Sequence, residues 1–329
     1  MRSCNKGQIL LGSVMHFRGL VFLLAFCSLT GCVIACSSQS SKSSRFPFTI
    51  LDERPFHFGC TDRPSPLPPG THSFVTFSPR APYARTRLDT LNLPLNEVPA
   101  LTIAAEPVQW IQIAAANQDH WTVQFCAEGE GNSIDEANGY LRRVSMQRTG
   151  SLLTLSNTDA HGLTGGHGNL LLTAPAGAPV TVHSDAALEV HDMAGPVRVS
   201  ALGRATILNT TGRVDASAMD VDFAGSQGSV FLNASSEINF KITATNFHGT
   251  LSANAQREVR AYFPPGFQTP VEVLVNSPKD FVCHADFCSN IKKDRVNGLY
   301  RFTYGNAEGA SDHIDMRSWD KQVVLDTIQ

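Results

Sequence analysis

The sequence predicts an all-β fold, a β-solenoid of short stacked strands, with a β-sandwich as the alternative. Two observations carry this. Apolar-polar-apolar triplets recur from Gly165 onward every 8–9 residues, among them Val180-Thr181-Val182, Leu188-Glu189-Val190, Val197-Arg198-Val199 and Ala205-Thr206-Ile207. Over them lies a slower beat: Gly195, Gly212, Gly228 and Gly249 each precede a triplet by two residues, at separations of 17, 16 and 21. Short strands joined by Gly, Asn, Ser and Asp turns at a fixed period signal a repeat that buries its apolar face only by stacking on its neighbours. Two strands per coil fit the beat, so residues 180–263 make roughly five layers, about 25 Å long at strand spacing. A sandwich instead expects hairpins at 8–12-residue spacing.

The chain divides into four parts. Residues 1–31 carry Arg2, Lys6 and Arg18, no acid, and the apolar run Gly19–Leu29, the pattern of an export signal. Met15 also suits as a start, since a complete compact signal comes directly after it. Leu29-Thr30-Gly31-Cys32 resembles the lipobox of bacterial lipoprotein signals, which implies a lipid-carrying Cys32 as the first mature residue. Several acyl chains on one residue anchor where a single chain binds only marginally. The alternatives are cleavage after Val33-Ile34-Ala35 with ordinary secretion, or a membrane anchor over residues 19–36. Loss of residues 1–31 moves the charge from -3 to -6, because it removes three bases and no acids. If Cys32 is acylated, the bacterial cell envelope is the destination, and Val33 in place of Asp favours the outer membrane.

Residues 32–72 form a tether and linker. Ser37–Ser44 is Ser-rich, and Pro47, Pro55, Pro64, Pro66, Pro68 and Pro69 keep the rest of the linker extended. A third part, 73–160, is a β region with one helix. Ser73–Phe77, Val108–Ile113 and Trp121–Phe125 have strand character. Ser133–Arg143 is the helix: Ser133 and Glu136 make a capping-box pattern, with acids at its start and Arg142-Arg143 at its end. Arg143–Met146 and Leu152–Leu155 form a strand pair around Thr149-Gly150. The fourth part, 161–329, holds the solenoid and its closing strands Val271–Val275, Leu299–Tyr304, Ile314–Arg317 and Gln322–Leu325.

Eight cysteines occur. Cys4 and Cys27 leave with the signal, Cys32 takes lipid, and Cys36 is left over. Cys283 with Cys288, and Cys60 with Cys126, are the disulfide candidates in an exported chain. Cys283-His284 with Cys288 is the competing metal reading.

Composition excludes some functions. Charged residues make up only 17% of the chain and no basic field exists, which argues against nucleic acid as a partner. No phosphate loop, zinc-protease helix or nucleophile elbow occurs, so no catalytic residue, metal site or cofactor is assigned. Asp220-x-Asp222 opens like a calcium loop but lacks the later ligands, Phe231 standing where the glutamate belongs. His161 and His167 flank Gly162–Gly166 and could hold a transition metal; exposed loop histidines are the plainer reading. His183-Ser184-Asp185 sets triad residue types side by side, which is not a triad geometry. Asp215 and Asp222 could project outward on neighbouring strands, as the carboxylate pair of a glycan-cleaving solenoid would, but nothing distinguishes them from solvent-facing residues of a soluble solenoid. Trp110, Trp121 and Trp319 suit core or edge positions better than a sugar platform.

Leu170–Val182 (Leu-Leu-Leu-Thr-Ala-Pro-Ala-Gly-Ala-Pro-Val-Thr-Val) and the Gly-x-Val-x-Val units after it resemble the DUF4097 family of β-strand-repeat proteins, which is labelled adhesin-like. Trp110–Asn157 resembles its lead-in, and His313–Leu325 its closing strands. The resemblance covers about residues 108–325 and implies a bacterial envelope protein with a β-helix and no catalytic residues. The expectation is a non-enzymatic, lipid-anchored surface for an unknown protein or glycan. The alternatives are an envelope signalling or stress accessory that binds a membrane protein, and a glycan-active β-helix enzyme.

Overall fold

A computed structural model of the chain describes residues 60–61, 82–106, 108, 110–158, 165–307 and 309–328. Cys32, Cys36, His161 and the strand expected at Ser73–Phe77 lie outside the described residues. The described part is almost wholly β, in one sheet of 11 strands and one of 12.

In chain order the strands are β1 (Tyr83–Pro94), β2 (Leu101–Glu106), β3 (Trp110–Ala116) and β4 (His120–Gly131), then helix α1 (Ile134–Leu141), β5 (Val144–Thr149), β6 (Leu152–Asn157) and β7 (Gly166–Pro175). The central strands are β8 (Val180–Ser184), β9 (Ala187–His191), β10 (Val197–Ala201), β11 (Arg204–Leu208), β12 (Arg213–Ala218), β13 (Asp220–Gly225), β14 (Gln227–Ala234), β15 (Glu237–Ile242), β16 (His248–Ala255) and β17 (Glu258–Phe263). The last are β18 (Val271–Val275), β19 (Phe281–Cys283), β20 (Lys292–Val296), β21 (Leu299–Tyr304), β22 (His313–Ser318) and β23 (Val323–Thr327).

From β8 to β17 the chain alternates between the sheets, so each coil is one strand of each sheet laid parallel on the coil before. These are the five layers that the glycine beat predicts. Parallel pairing rules out the hairpin-linked sandwich. Four more layers extend the stack to nine, about 38 Å at strand spacing. The pairs β2/β3 and β6/β7 lie at one end, and β22/β23 and β18/β19 at the other. Both ends break chain order. β2/β3 sits between β6/β7 and β8/β9, and β22/β23 is inserted between β16/β17 and β18/β19. Strands on both sides of residue 160 therefore share the same two sheets, where the sequence suggests a boundary.

Alternation drives the core. Inward positions are apolar and buried in each coil: Val197 and Val199 face Ala205 and Ile207, Val214 and Ala216 face Val221 and Phe223, and Val230 and Leu232 face Ile238 and Phe240. The coil that begins at Gly228 is the longest because residues 243–247 bulge at its corner. They deliver Phe247, fully buried, whose N–H donates to Thr269 Oγ1 at 2.7 Å.

The ends are plugged. Helix α1 lies on the inward face of β4, where Gly129 leaves room for it; a Cβ there would stand 2.1 Å from the Ala137 carbonyl oxygen. Ser133 Oγ accepts from the Glu136 N–H at 3.2 Å, as the capping pattern predicts. Glu136 reaches past Ser133 instead and accepts from the Asn132 N–H at 2.7 Å. At the other end Phe263, Phe267, Phe287 and Tyr304 form a ring cluster, and Phe281 of one sheet stacks on Phe302 of the other at 4.1 Å. The outer edges at this end are unsuited to further pairing: β20 carries Lys292, Lys293, Asp294 and Arg295, and β19 is three residues long.

Disulfides join Cys60 to Cys126 and Cys283 to Cys288. The thiolates of the alternative metal reading are thus committed, and His284 pairs instead with Asp326 at 2.9 Å. The first bond closes a separation of 66 residues, worth about 4 kcal/mol in the chain-entropy account.

The beat glycines have a common cause. Gly195, Gly212, Gly228 and Gly249 stack in a column with Gly177 at its foot, each beneath the next. A Cβ on Gly195 would lie 2.4 Å from the Gly177 carbonyl oxygen, one on Gly212 2.4 Å from that of Gly195, and one on Gly249 2.3 Å from that of Gly228. Gly177 itself meets nothing within 4 Å. Gly212→Ala is expected to cost about 1–3 kcal/mol by forcing backbone apart, while Gly177→Ala stays near neutral. Urea melts of the two variants beside wild type check this; equal midpoints would remove the steric account.

Candidate functional site

The residues that repeat outward form columns, because in-register stacking sets equivalent positions of successive coils side by side. On the outer face of the 12-stranded sheet one column runs His183, Ser200, Ser217, Asn233, Asn254, Arg317. At the corner just beyond lie Leu202, Met219, Ser235, Gln256 and Trp319. Their backbone N–H groups donate to the preceding coil, Leu202 to Ser184, Met219 to Gly203, Gln256 to Ala234 and Trp319 to Ala255. The corner is therefore as fixed as the sheet.

These two columns flank a shallow trough of about 500 Å³. It follows the stack from Ser200 to Trp319 across five layers, about 20 Å. Ala201, Ala218, Ala234 and Ala255, each buried, lie between the two columns along its floor. No residue lining it is charged; Ser200, Ser217, Asn233, Ser235, Asn254 and Gln256 supply hydroxyls and amides. Its rim exposes Leu202 (76%), Met219 (48%) and Trp319 (44%). Arg317 stacks on the Trp319 ring with its guanidinium carbon 3.4 Å from the ring centre, and the Asn276 amide donates to the Trp319 carbonyl. Such a cation–ring contact holds the indole in place.

The tryptophans thus divide. Trp121 is buried and donates from Nε1 to the Val98 carbonyl at 2.7 Å, and Trp110 stands half-buried in β3. Trp319 is the exposed one, contrary to the core or edge position expected of it.

Asp215 and Asp222 do not form a pair. Asp215 faces outward on the 12-stranded sheet, 3.5 Å from Arg198, while Asp222 belongs to the other sheet. Their seven-residue separation spans one corner of a coil, which reverses the face. His183, Ser184 and Asp185 are likewise not assembled: His183 is exposed, whereas Ser184 turns inward and accepts from the Ala186 N–H at 3.0 Å.

A carboxylate pair that the sequence does not reveal does form. Glu272 of β18 and Asp315 of β22 are register partners, 43 residues apart in the chain. Burial pushes the Glu272 carboxyl up, with the Asp315 charge adding to it, and burial pushes Asp315 up against the opposing pull of His313 at 3.2 Å. The pair lines a smaller hollow of about 180 Å³ that shares Asn254 with the trough.

No family profile and no curated relative matches the chain. Solved structures similar to it include a candidate cell-adhesion protein from Clostridium sporogenes, 8% identical, TM-score 0.31, covering 74% of this chain and 99% of that one. A candidate adhesin from Bacteroides fragilis is 10% identical, TM-score 0.35, covering 74% and 97%, and one from Parabacteroides merdae is 9% identical, TM-score 0.33, covering 74% and 97%. Likeness this distant says nothing of ligand or activity, and the family resemblance rests on the sequence motifs.

Asp222 gives a pH test of the outer face opposite the trough. It is 1% exposed; Oδ1 accepts from Asn239 at 3.1 Å, and Oδ2 lies 3.4 Å from Arg204 Nε, an ion pair without hydrogen-bond alignment. Burial raises its carboxyl above the ordinary 3.8, more than Arg204 and Asn239 lower it. The folded chain then holds this proton longer than the unfolded chain, so stability falls as pH rises from 3.8 through the raised value. Asp222→Asn is expected to melt higher than wild type at pH 7 and to lose that part of the pH slope. A lower melting point at pH 7 would mean the Arg204 pairing outweighs burial.

Proposed function

We propose that this chain is a non-enzymatic cell-envelope protein, anchored through lipid on Cys32, that presents its solenoid as an adhesive surface for a neutral glycan. The trough carries the reading: an uncharged ladder of hydroxyls and amides ending on an exposed, clamped indole. Serine, asparagine and glutamine side chains offer donors and acceptors together, as sugar hydroxyls require. An exposed indole offers an apolar face with a polar tip. No residue lining the trough is charged, and the one cation beside it, Arg317, is engaged on the Trp319 ring, which favours a neutral ligand over acidic polymers and nucleic acid; the trough's openness suits an extended chain rather than a small enclosed ligand. The two disulfides support an oxidising compartment outside the cytoplasm. Among the described residues no helix is long and apolar enough to cross a membrane; lipid on Cys32 would supply the attachment.

A second reading has one observation behind it. Glu272 and Asp315, both with raised carboxyl pKa, adjoin the trough, and a glycan-active enzyme uses a carboxylic acid held protonated beside a second carboxylate. Glu272→Gln separates the two readings: it leaves glycan retention unchanged if the surface only binds, and abolishes product release if the pair cleaves.

Two outcomes are expected. On an array of neutral and acidic oligosaccharides the protein retains neutral ones. Trp319→Ala weakens that retention by roughly threefold to tenfold, the worth of one aromatic contact at about 0.5–1.5 kcal/mol, and Met219→Lys abolishes it without lowering the melting point. Retention of acidic glycans only, or equal binding by both variants, would put the ligand elsewhere. For the anchor, wild type made in a bacterial envelope partitions into detergent and starts at Cys32 with added acyl mass, and Cys32→Ser does neither. A mature chain starting at Cys36 without lipid would replace the anchor with secretion.

A further inference from the structure

We infer that Glu128, Glu130 and His167 form a binding site for a divalent transition-metal ion, zinc in the first instance. Their ligand atoms all lie within 4.8 Å of one another. The placement comes from strand geometry. Glu128 and Glu130 are two residues apart in β4 and so share its outward face. His167 of β7 stands directly opposite Glu128 in the antiparallel register, with Nε2 3.5 Å from Oε2.

The glycines around His167 serve this placement. Gly166 and Gly168 belong to β7 and point inward; a Cβ on Gly168 would stand 2.2 Å from the Phe125 ring, and one on Gly166 3.1 Å from Val144 and from the Tyr140 carbonyl. They are small because the core and α1 fill the space behind them. This differs from the loop histidine read from the sequence. His167 is thereby held on a packed strand, with its imidazole turned to the same side as the two carboxylates.

The surroundings suit an ion. The side chains of His167 and Glu128 are only 14% and 16% exposed, so an ion placed between them is poorly screened by solvent. Glu128 and Glu130 bring two carboxylates beside one imidazole in a half-buried place, a donor set that a dication takes. One imidazole and two carboxylates give three protein ligands, leaving a fourth tetrahedral position to water or substrate. Oxygen and nitrogen donors without thiolate favour zinc or manganese over copper(I) or an iron–sulfur cluster. Cys126, on the same face two residues before Glu128, is closed in its disulfide with Cys60 and supplies no thiolate.

The test uses the whole chain, purified without reductant so that both disulfides stay closed, and stripped with chelator. Zinc chloride is titrated by calorimetry and the bound metal counted by plasma mass spectrometry, beside His167→Gln and Glu130→Gln. One equivalent of zinc, a higher melting point with zinc, and an X-ray absorption spectrum showing nitrogen and oxygen donors without sulfur are expected. Each variant should lose at least the roughly tenfold that even a supporting residue is worth at a metal site, and should show no zinc-dependent rise in melting point. His167→Gln keeps a polar side chain at the position, and the melting point without zinc shows whether each variant is folded. No stoichiometric zinc on wild type, or undiminished zinc on both folded variants, overturns the site.

Discussion

The central coils of this molecule can approach to strand spacing because one corner of each carries no side chain. At that corner the α-carbon of Gly212 faces the carbonyl of Gly195, and that of Gly249 faces the carbonyl of Gly228, with no space for a methyl group between. Everything periodic depends on this contact. It fixes the register of Val197 on Val214 and of Val214 on Val230, and therefore which side chains enter the core. A shift of one residue would turn Arg198, Asp215 and Phe231 inward and Val197, Val214 and Val230 outward. The same register makes columns of whatever faces outward, so a single substitution on the surface is read as a rung in a ladder.

Stacking creates a problem at each end, where an unpaired layer invites another chain. The out-of-order layers answer it. The outermost pair β18/β19 is laid down before β22/β23, which then pairs parallel with β16/β17 on one side and β18/β19 on the other. β18 and β19 cannot fray without breaking pairings to β22 and β23, about 40 residues further along the chain, while the edge strands β20 and β5 are held by local hairpins. The topology raises the closure entropy of the ends, since β16 waits for a partner some 60 residues later. The two disulfides fall in these end regions, one on β4 and one spanning β19 and the segment after it. The central coils, whose partners are 16–21 residues away, have no such bond.

That difference in range also explains what is legible in the sequence. The five central coils can be read because their period is local: each glycine and each triplet announces the next. The capped helix is legible for the same reason, down to the Ser133 hydroxyl. Nine layers cannot be read, since Leu101–Glu106 finds Val180–Ser184 only after the chain has built another layer between them. The pair Glu272 and Asp315 is hidden by the same kind of inserted strand, and Asp215 with Asp222 misleads because their separation places a corner between them. His167 reads as a loop residue because glycine on either side ordinarily marks a loop; here the glycines answer to Phe125 and α1 behind the strand. Trp319 reads as a core or edge residue because it lies beside the strand Ile314–Arg317, and only the inserted layer places it at the corner.

The inserted layer also decides the chemistry of the trough. Had the strands stacked in chain order, β18 would come after β16, and the corner would run from Gln256 to Asn276, another amide. Instead β22 intervenes, and the ladder ends on Trp319 with Arg317 stacked upon it and Asn276 bound to its carbonyl. A closing strand thus also supplies the one aromatic side chain of a groove otherwise lined by hydroxyls, amides and aliphatic groups. The rungs before it are individually weak, being single hydroxyls and amides that water already satisfies. Affinity along such a groove grows with the number of rungs a ligand spans, so a short ligand gains little and a long chain more. The coil count sets the length that can be read, and the indole fixes where the reading stops.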